Sequence, residues 1–462
     1  MQTILEPERR TPLNDRYDVV VAGAGTAGII AAVAAARNDA RVLLLERGGF
    51  LGGHIATQLL EHSAGWFDAR GARTVGGIPQ ELVDRLVRSG ASPGHIRDDT
   101  GYTHFRVPVN HEEFKSVVTA MVAEAGVDFL LFSPIVSGIV DDHQLRAILV
   151  ENKSGRTAYA VRAAVDATGD ADLAHAVGCE FLAAGDGSSF TQPVSLLFKL
   201  GGIDHRRLVE YVAANPGDFK LGVAPQELAG QPHINLWGFG SLLQRAFADG
   251  VVSLQRNELH YSGWTLTGEA VINVTRYAAD ATRAEDLARA ETVLRKQVLE
   301  FLEFFRRYVP GGEHSYLAAT ASCVGVRESR RIRGVYELSD EDVRSGRTFP
   351  DVIARGGFPI DSHDPRGPSM DAAEPVSAAY DIPYRALLPA VVDGIVVAGR
   401  CISASRKALA SARITGTCMA MGQAAGTAAA LAASSNTPLR ALDVRKLQRI
   451  LRDQGADLGL PR

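Results

Sequence analysis

Apolar residues change their period several times along this chain, and each change marks an element. Tyr17-Asp-Val-Val-Val-Ala22 is a short β-branched run without polar alternation, the pattern of a strand buried on both faces. It is followed by Gly23-Ala-Gly25-Thr-Ala-Gly28 and by an Ala-rich helical stretch over 29–37. A second apolar run, Arg41-Val-Leu-Leu-Leu-Glu46, ends on a carboxylate. Two buried strands joined by a helix through short connections predict a βαβ unit in a parallel sheet. Residues 112–124 have helical periodicity, and 127–132 has the look of a strand. Runs at 135–140, 145–150 and 158–161 are separated by Asp141-Asp142 and Ser154-Gly155, which predicts an antiparallel meander. Ala163 to Asp170 is a strand ending in a tight glycine turn, 283–308 is a long helix, Gly394 to Gly399 is another buried strand, and 411–433 another helix.

Buried strands of one type stand at both ends, while 190–264 is richer in aromatic, Gln, Pro and His residues. This predicts an α/β, Rossmann-like domain assembled from residues 16–185 and 375–435, with an α+β substrate or cap domain, 186–374, inserted between its halves. Residues 1–15 form a flexible lead and 436–462 a helical tail. Composition narrows the class. With 46% hydrophobic and 22% charged residues the chain can bury a large core, which excludes disorder and fibrous repeats. Its 49 basic and 53 acidic residues give a net charge of −4 with no cationic block, so neither nucleic acid nor an anionic membrane is an expected partner. Cys179, Cys323, Cys401 and Cys418 are far apart, against a disulfide framework, a zinc knuckle or an iron–sulfur cluster; no metal spacing is found. The first fifteen residues carry no apolar stretch, and the most apolar window, 417–433, is mostly Ala and Gly around Gln423. A tightly packed buried helix, and a cytoplasmic protein compatible with a homodimer, are expected.

The glycine motif carries the chemistry. Gly23 permits the strand-to-helix turn, Gly25 lets a pyrophosphate touch the backbone, Gly28 lets helix and sheet pack closely, and the helix start offers free N–H groups. Glu46, 18 residues past Gly28, stands where a carboxylate binds ribose hydroxyls. Dinucleotide binding follows. A second glycine cluster, Arg47-Gly-Gly-Phe-Leu-Gly-Gly53-His-Ile-Ala-Thr57, favours FAD over NAD, because an extended FAD needs backbone contact beyond its adenosine half. Ala167-Thr-Gly169 and Val397-Ala-Gly-Arg400 point the same way.

These four segments, in this order, resemble the glutathione-reductase-type FAD fold. The chain resembles in particular a group of bacterial FAD-dependent oxidoreductases distantly related to the fumarate reductase and succinate dehydrogenase flavoproteins. Gln192-Pro193, Asn273-Val-Thr-Arg276, Gly325 to Ile332, Tyr380-Asp-Ile-Pro-Tyr-Arg385 and Ala398 to Ser403 extend the likeness over nearly the whole chain. The resemblance implies that Gly23, Gly25 and Gly28 hold the pyrophosphate and Glu46 the ribose, with Arg47 beside it. Gly52, Gly53 and Thr57 would line the path to the flavin, and Val136 would contact adenine. Thr168, Gly169 and Asp170 would close over the cofactor, Gly399 and Arg400 would meet the ribityl chain, and Ile414, Thr415 and Gly416 would present a helix N-terminus to the flavin's pyrimidine edge. His54, at an offset matching the histidine that attaches to the flavin's 8α-methyl in those flavoproteins, is a candidate covalent link; the alternative is a histidine that stacks on or hydrogen-bonds to the ring.

For the substrate, Gly325 to Ile332, if helical, puts Arg327, Arg330 and Arg331 on one side as an anion clamp, or else as a salt-bridged helix held by Glu328. Arg276 and Arg385 are candidates to reach the flavin face, and Tyr384 to give a proton; ion pairing and packing are the alternatives. His233, Asn235, Trp237, His260, Tyr261 and Trp264 suit a small-molecule pocket, and a loop with Tyr102, His104 and Arg106 could cover the flavin. With no second G-x-G-x-x-G after a strand, the expected activity is two-electron oxidation of a small organic molecule by a dehydrogenase or oxidase. A fumarate-reductase-like reduction of an activated C=C bond, or an RNA-modifying flavoprotein, is the alternative.

Overall fold

The computed structural model describes residues 3–5, 8–60, 62–183, 192–363 and 374–460. Its centre is a five-stranded parallel sheet in the order Ile395–Val397, Ala163–Asp166, Val19–Ala22, Val42–Leu45, Asp128–Leu130. Every residue of the first four of these strands is buried, which is why they lack polar alternation. Helix Thr26–Ala36 leaves the second glycine of the motif, and the terminal helix Thr415–Ser435 packs onto it. That packing is backbone-close. A Cβ on Gly422 would stand 2.2 Å from the Ala27 carbonyl oxygen, and one on Gly426 2.0 Å from that of Ala31. The Ala/Gly composition of the apolar window is therefore a packing requirement. No helix among the described residues is long and apolar enough to cross a membrane.

The meander forms as three antiparallel strands, Ile135–Asp141, Gln144–Asn152 and Gly155–Ala160. Its free edge is taken by Leu13–Asn14, parallel to Ala158 and Tyr159. The end of the lead is thus pinned by strand pairing rather than flexible as expected.

The middle of the chain builds a second core around a six-stranded antiparallel sheet, in the order Phe219–Lys220, His233–Gly238, Leu259–Trp264, Glu269–Asn273, Phe198–Gly201, Tyr316–Thr320. Helix Ala284–Tyr308 backs it through Phe301, Phe304 and Phe305. This core runs from Val194 to Ala321, and Ile332, Leu338, Val343 and Val352 already belong to the first. The return to the first body therefore comes about forty residues before the expected 375, because strand Val352–Gly356 pairs with Tyr380–Pro383 beside the parallel sheet. The expected boundary at 185–186 lies outside the described residues. The tail is helical over Val444–Asp453 and docks through Leu447, Leu451 and Gln448, whose side-chain amide donates to the carbonyls of Pro350 and Val352.

A buried ionic network joins the two bodies. Arg106, on strand Phe105–Pro108 and fully buried, donates to Asp99 Oδ2 at 2.6 Å and lies 2.6 Å from Nδ1 of His233 in the second sheet. Asn235 of that sheet donates its backbone N–H to Asp99 and its side-chain amide to Asp98. Arg106 is thus an interdomain tie, and the idea that it covers a cofactor is corrected.

Candidate functional site

The glycine turn is shaped for something that touches backbone. Gly23 has φ +88°, and a Cβ there would stand 2.7 Å from the Ala167 carbonyl oxygen. Gly28 meets Gly23 even more closely, at 1.8 Å, so helix and strand cross with no room for a side chain. Gly25 differs: a Cβ on it would meet nothing nearer than 3.9 Å. Gly25 is also the N-cap of Thr26–Ala36 and offers no side-chain cap. The first N–H groups of a helix need an acceptor, and here no side-chain cap supplies one at the positive end of the helix dipole.

The second glycine cluster packs against the first. Gly53, at φ +52°, would drive a Cβ to 2.5 Å from the Gly25 Cα, and Gly52 has φ +124°. Glu46 holds both turns in register, accepting from the N–H of Ala24 at 2.8 Å and of Gly48 at 2.7 Å. Each oxygen keeps a lone pair for the ribose hydroxyl that the resemblance assigns to it. Arg47 is exposed and stands 3.5 Å from Asp170. Val136 projects from the meander with 43% of its surface exposed. Thr57 ties this region to the second body, its carbonyl accepting from the N–H of Ser322 at 2.8 Å.

Asp166, at the end of its buried strand, accepts from the N–H and hydroxyl of Thr168 and from the N–H of Ala174, fixing the turn that follows. Burial pushes its carboxyl up to about 6 against these bonds. Beyond Gly169, Asp170 accepts from Ser329 at 2.7 Å and from Arg400 at 2.8 Å. Burial pushes Asp170 up, but Arg400 and Ser329 outweigh it and hold the carboxylate below its usual range. Arg400 follows Gly399, at φ +89°, and also donates to Ser329 at 2.7 Å. One of the N–H groups expected to serve a ligand is taken: Gly416 donates to the Ala64 carbonyl at 2.9 Å. Ile414 is the uncapped N-cap of that helix. Thr415 Oγ1 lies 3.3 Å from His54 Nε2, and burial, Arg400 and Arg413 push the His54 imidazole down to about 4.

The substrate candidates divide. Residues 325–332 are not helical. Gly325 bridges to Ser195 and Ile332 to Phe181, so the segment crosses between the bodies in extended form and its arginines splay apart. Arg330 reaches Asp172 and the Asp170 carbonyl, and Arg331 reaches the carbonyls of Ala404 and Ala183. Arg327 turns toward the second body, donating to the Pro193 carbonyl and to Ser195 Oγ. Arg276 approaches His363 Nδ1 at 3.5 Å. Tyr384 and Arg385 are corrected: the buried Tyr384 hydroxyl donates to the Leu439 carbonyl at 3.0 Å, and Arg385 pairs with Asp351 at 2.9 Å and stacks on Tyr336. Both hold the first body together. Of the polar aromatics, His233 and Tyr261 are engaged by Arg106 and His205, while Trp237 meets the tilted ring of His260 and, edge-on, that of Tyr102. Three residues that sequence reasoning missed complete this cluster. Arg413 donates to the Asp361 carbonyl at 3.0 Å and stands 3.5 Å from its carboxylate; His363 Nε2 lies 3.2 Å from the same carboxylate. The only available signal was that Arg413 directly precedes Ile414.

The sequence matches the family described as FAD dependent oxidoreductase over residues 18–451. The chain belongs to that family. It is an FAD-dependent oxidoreductase. No curated protein matches it. Among solved structures it is similar to a geranylgeranyl bacteriochlorophyll reductase-like protein from Thermoplasma acidophilum, at 13% identity and TM-score 0.48, covering 96% of this chain and 85% of that one. A myxobacterial chondrochloren halogenase is similar at 13% identity and TM-score 0.46, covering 96% and 79%. Glycine oxidase from Geobacillus kaustophilus follows at 12% identity and TM-score 0.42, covering 89% and 95%.

The residues present fit FAD. The uncapped first turn at Gly25 suits its pyrophosphate, and Glu46 stands beside that turn. Glu46→Ala is expected to weaken FAD binding tenfold or more, since charge-assisted hydrogen bonds contribute on the order of 1.5–3 kcal/mol each. Glu46→Gln, which keeps an acceptor, should lose less. Titration of apoprotein with FAD, followed by flavin fluorescence, measures this; an unchanged Kd in Glu46→Ala removes the residue from the site. The His54 contact with Thr415 sets two expectations against each other. The pyrimidine edge and the 8α-methyl are opposite ends of the flavin ring, so a histidine touching the helix that serves the first is poorly placed to bond the second. A ring-contacting His54 agrees with both observations.

Proposed function

We propose that this FAD-dependent oxidoreductase oxidises a small organic molecule, as a dehydrogenase or oxidase, where its two bodies meet. In this reading the glutathione-reductase-type FAD domain is completed by both ends of the chain and the inserted antiparallel sheet forms the substrate side. Bound FAD supplies a two-electron acceptor. The protein's part is to hold the substrate, exclude water and manage the accompanying proton. The observation that carries the proposal is the surface of the second body within electrostatic reach of Arg413, beside the start of helix Thr415–Ser435. There the second body presents Trp237, His260 and Arg327 on an antiparallel sheet and its flanking segment, not a second parallel βαβ crevice for a nicotinamide nucleotide. His54 and Arg327 are both half-buried, the first on the cradle and the second on the segment flanking that sheet.

Reduction of a C=C bond activated by a carboxylate is the second reading, favoured by Arg327 alone. We place the enzyme in the cytoplasm and take its partner to be a small molecule; a homodimer is compatible with this. Anaerobic mixing of the FAD-loaded enzyme with a metabolite panel is expected to bleach the flavin absorbance with an oxidisable compound. Rapid recolouring on admitting air identifies an oxidase. Bleaching by none, with oxidation of pre-reduced enzyme by an unsaturated acid, would turn the assignment to the reductase.

A further inference from the structure

Arg327 carries a positive charge that no described residue pairs. Arg327 donates one terminal nitrogen to the Pro193 carbonyl at 2.8 Å and to Ser195 Oγ at 2.7 Å, both neutral acceptors. It forms no ion pair with any described residue, and its other guanidinium nitrogens have no hydrogen-bond partner among them. Burial, then Arg413 and Arg276, push its guanidinium down to about 9, the direction expected of a cation crowded by cations. Asp361 is the carboxylate whose charge reaches this group, and it is already engaged: His363 Nε2 stands 3.2 Å from it and Arg413 3.5 Å. Burial raises the Asp361 carboxyl, but the hydrogen bond from His363 and the charges of Arg413 and Arg327 outweigh it and hold it ionised. His363 is neutral near pH 7, burial pushing it down to about 4. Two guanidinium groups, Arg327 and Arg413, thus act on one buried carboxylate, and Arg413 stands within ion-pair distance of it while Arg327 does not. A buried charge is stable only when paired, so the arrangement calls for another anion.

Place says what that anion belongs to. Arg413 is the residue before Ile414, the N-cap of the helix whose first turn touches His54. Burial and the charges of Arg400 and Arg413 together shift that histidine, so Arg413 stands within electrostatic reach of the cradle as well as of Asp361. The indole N–H of Trp237 and the side-chain amide of Gln192, both buried, have no hydrogen-bond partner among the described residues, and Gln192 Oε1 lies 3.5 Å from Arg413. The FAD pyrophosphate has its own seat at Gly25, at the start of a different helix.

We propose that the substrate is a small carboxylate, its carboxyl gripped by Arg327 and Arg413 between the cradle and the second body. This rests on the proposed oxidation for the word substrate, but the anion site does not need turnover to be detected.

The test uses the FAD-loaded, full-length enzyme and reads the visible spectrum of its bound flavin. Acetate, succinate and benzoate are titrated, and acetamide, succinamide and benzamide serve as neutral partners. At least one carboxylate should give a saturable spectral change with an affinity tenfold or more above its amide. Arg327→Met should weaken that carboxylate at least tenfold while FAD content and thermal unfolding stay near wild type, and Arg327→Lys should recover part of the loss. If Arg327→Met loses its FAD, Arg413→Met carries the same comparison. The proposal is overturned if no carboxylate saturates, if the amides bind as well, or if both methionine variants keep full affinity. Inorganic phosphate binding as tightly as the best carboxylate would likewise overturn it, making the arginines a general anion seat. Flavin bleaching is read separately. Carboxylate binding without bleaching by any compound counts against the oxidation but upholds the site, and bleaching only by uncharged compounds does the reverse.

Discussion

Gly28→Ala should yield protein that neither retains FAD nor unfolds at the wild-type temperature. The added Cβ would stand 1.8 Å from the Gly23 carbonyl oxygen and 3.2 Å from the Ala167 Cβ. Neither neighbour can yield, because Gly23 is itself wedged against Ala167 at φ +88°. Helix Thr26–Ala36 must lift from the sheet and would carry the terminal helix with it, since Gly422 and Gly426 sit on its backbone. Overpacking of this kind reaches about 3 kcal/mol even where side chains can adjust, and here they cannot. Gly25→Ala is the control. Its Cβ meets nothing nearer than 3.9 Å, so the fold should persist with near-normal thermal unfolding while FAD affinity falls, the methyl standing where the pyrophosphate must approach. Thermal unfolding and the FAD-to-protein ratio of the purified variants separate the two. Normal FAD content in Gly28→Ala, or equal damage from both substitutions, would show that the two glycines do not have these distinct roles.

The contrast between those glycines also shows what the sequence could and could not reveal. The βαβ unit was legible because its strands are buried on both faces and its turn needs glycine, two requirements that leave local marks. The helices at 112–124 and 283–308 were legible for a similar reason: structure finds them at His111–Glu124 and Ala284–Tyr308. Residues 325–332 misled because three arginines at helical spacing satisfy a helix on paper. What fixes that segment is non-local, the bridges from Gly325 to Ser195 and from Ile332 to Phe181. The domain return near Ile332 was hidden for the same reason, being set by which core buries a residue rather than by its type. In the site, Gly23, Gly28 and Glu46 could be named from spacing. Arg413, Asp361 and His363 could not, because their meaning comes from meeting Arg327, which is more than thirty residues away along the chain from any of them.

Arg106→Met should destabilise the enzyme by about 3–5 kcal/mol near neutral pH, the range for removing one partner from a buried ion pair. Methionine fills much of the space left by the guanidinium stem, so the loss comes mainly from Asp98 and Asp99, both almost wholly buried and left without their cation. In the native protein the two carboxyls already diverge. Burial pushes Asp98 up, but Thr100, Arg106 and Asn235 outweigh it and hold it low; for Asp99 burial wins over Arg106 and Asn235, and it is raised. Without Arg106 both should rise. A carboxyl raised in the folded state stabilises the fold fully below its unfolded value of about 3.9, and that contribution is lost as pH climbs through the raised value. A depressed carboxyl does the opposite, its contribution present above about 3.9 and lost as pH falls. Converting Asp98 from the second kind to the first makes the variant most deficient at neutral pH and least deficient in acid. Urea unfolding of both proteins at about pH 7 and about pH 4.5 tests this, with a clearly smaller stability gap expected at the lower pH. Because Asp98, Asp99 and Arg106 meet His233 and Asn235 across the join, the variant should also be cut by protease between the bodies before it unfolds as a whole. A stability gap that is the same at both pH values would mean that the two carboxylates are not what Arg106 neutralises, and a variant as stable as the wild type would remove the tie altogether.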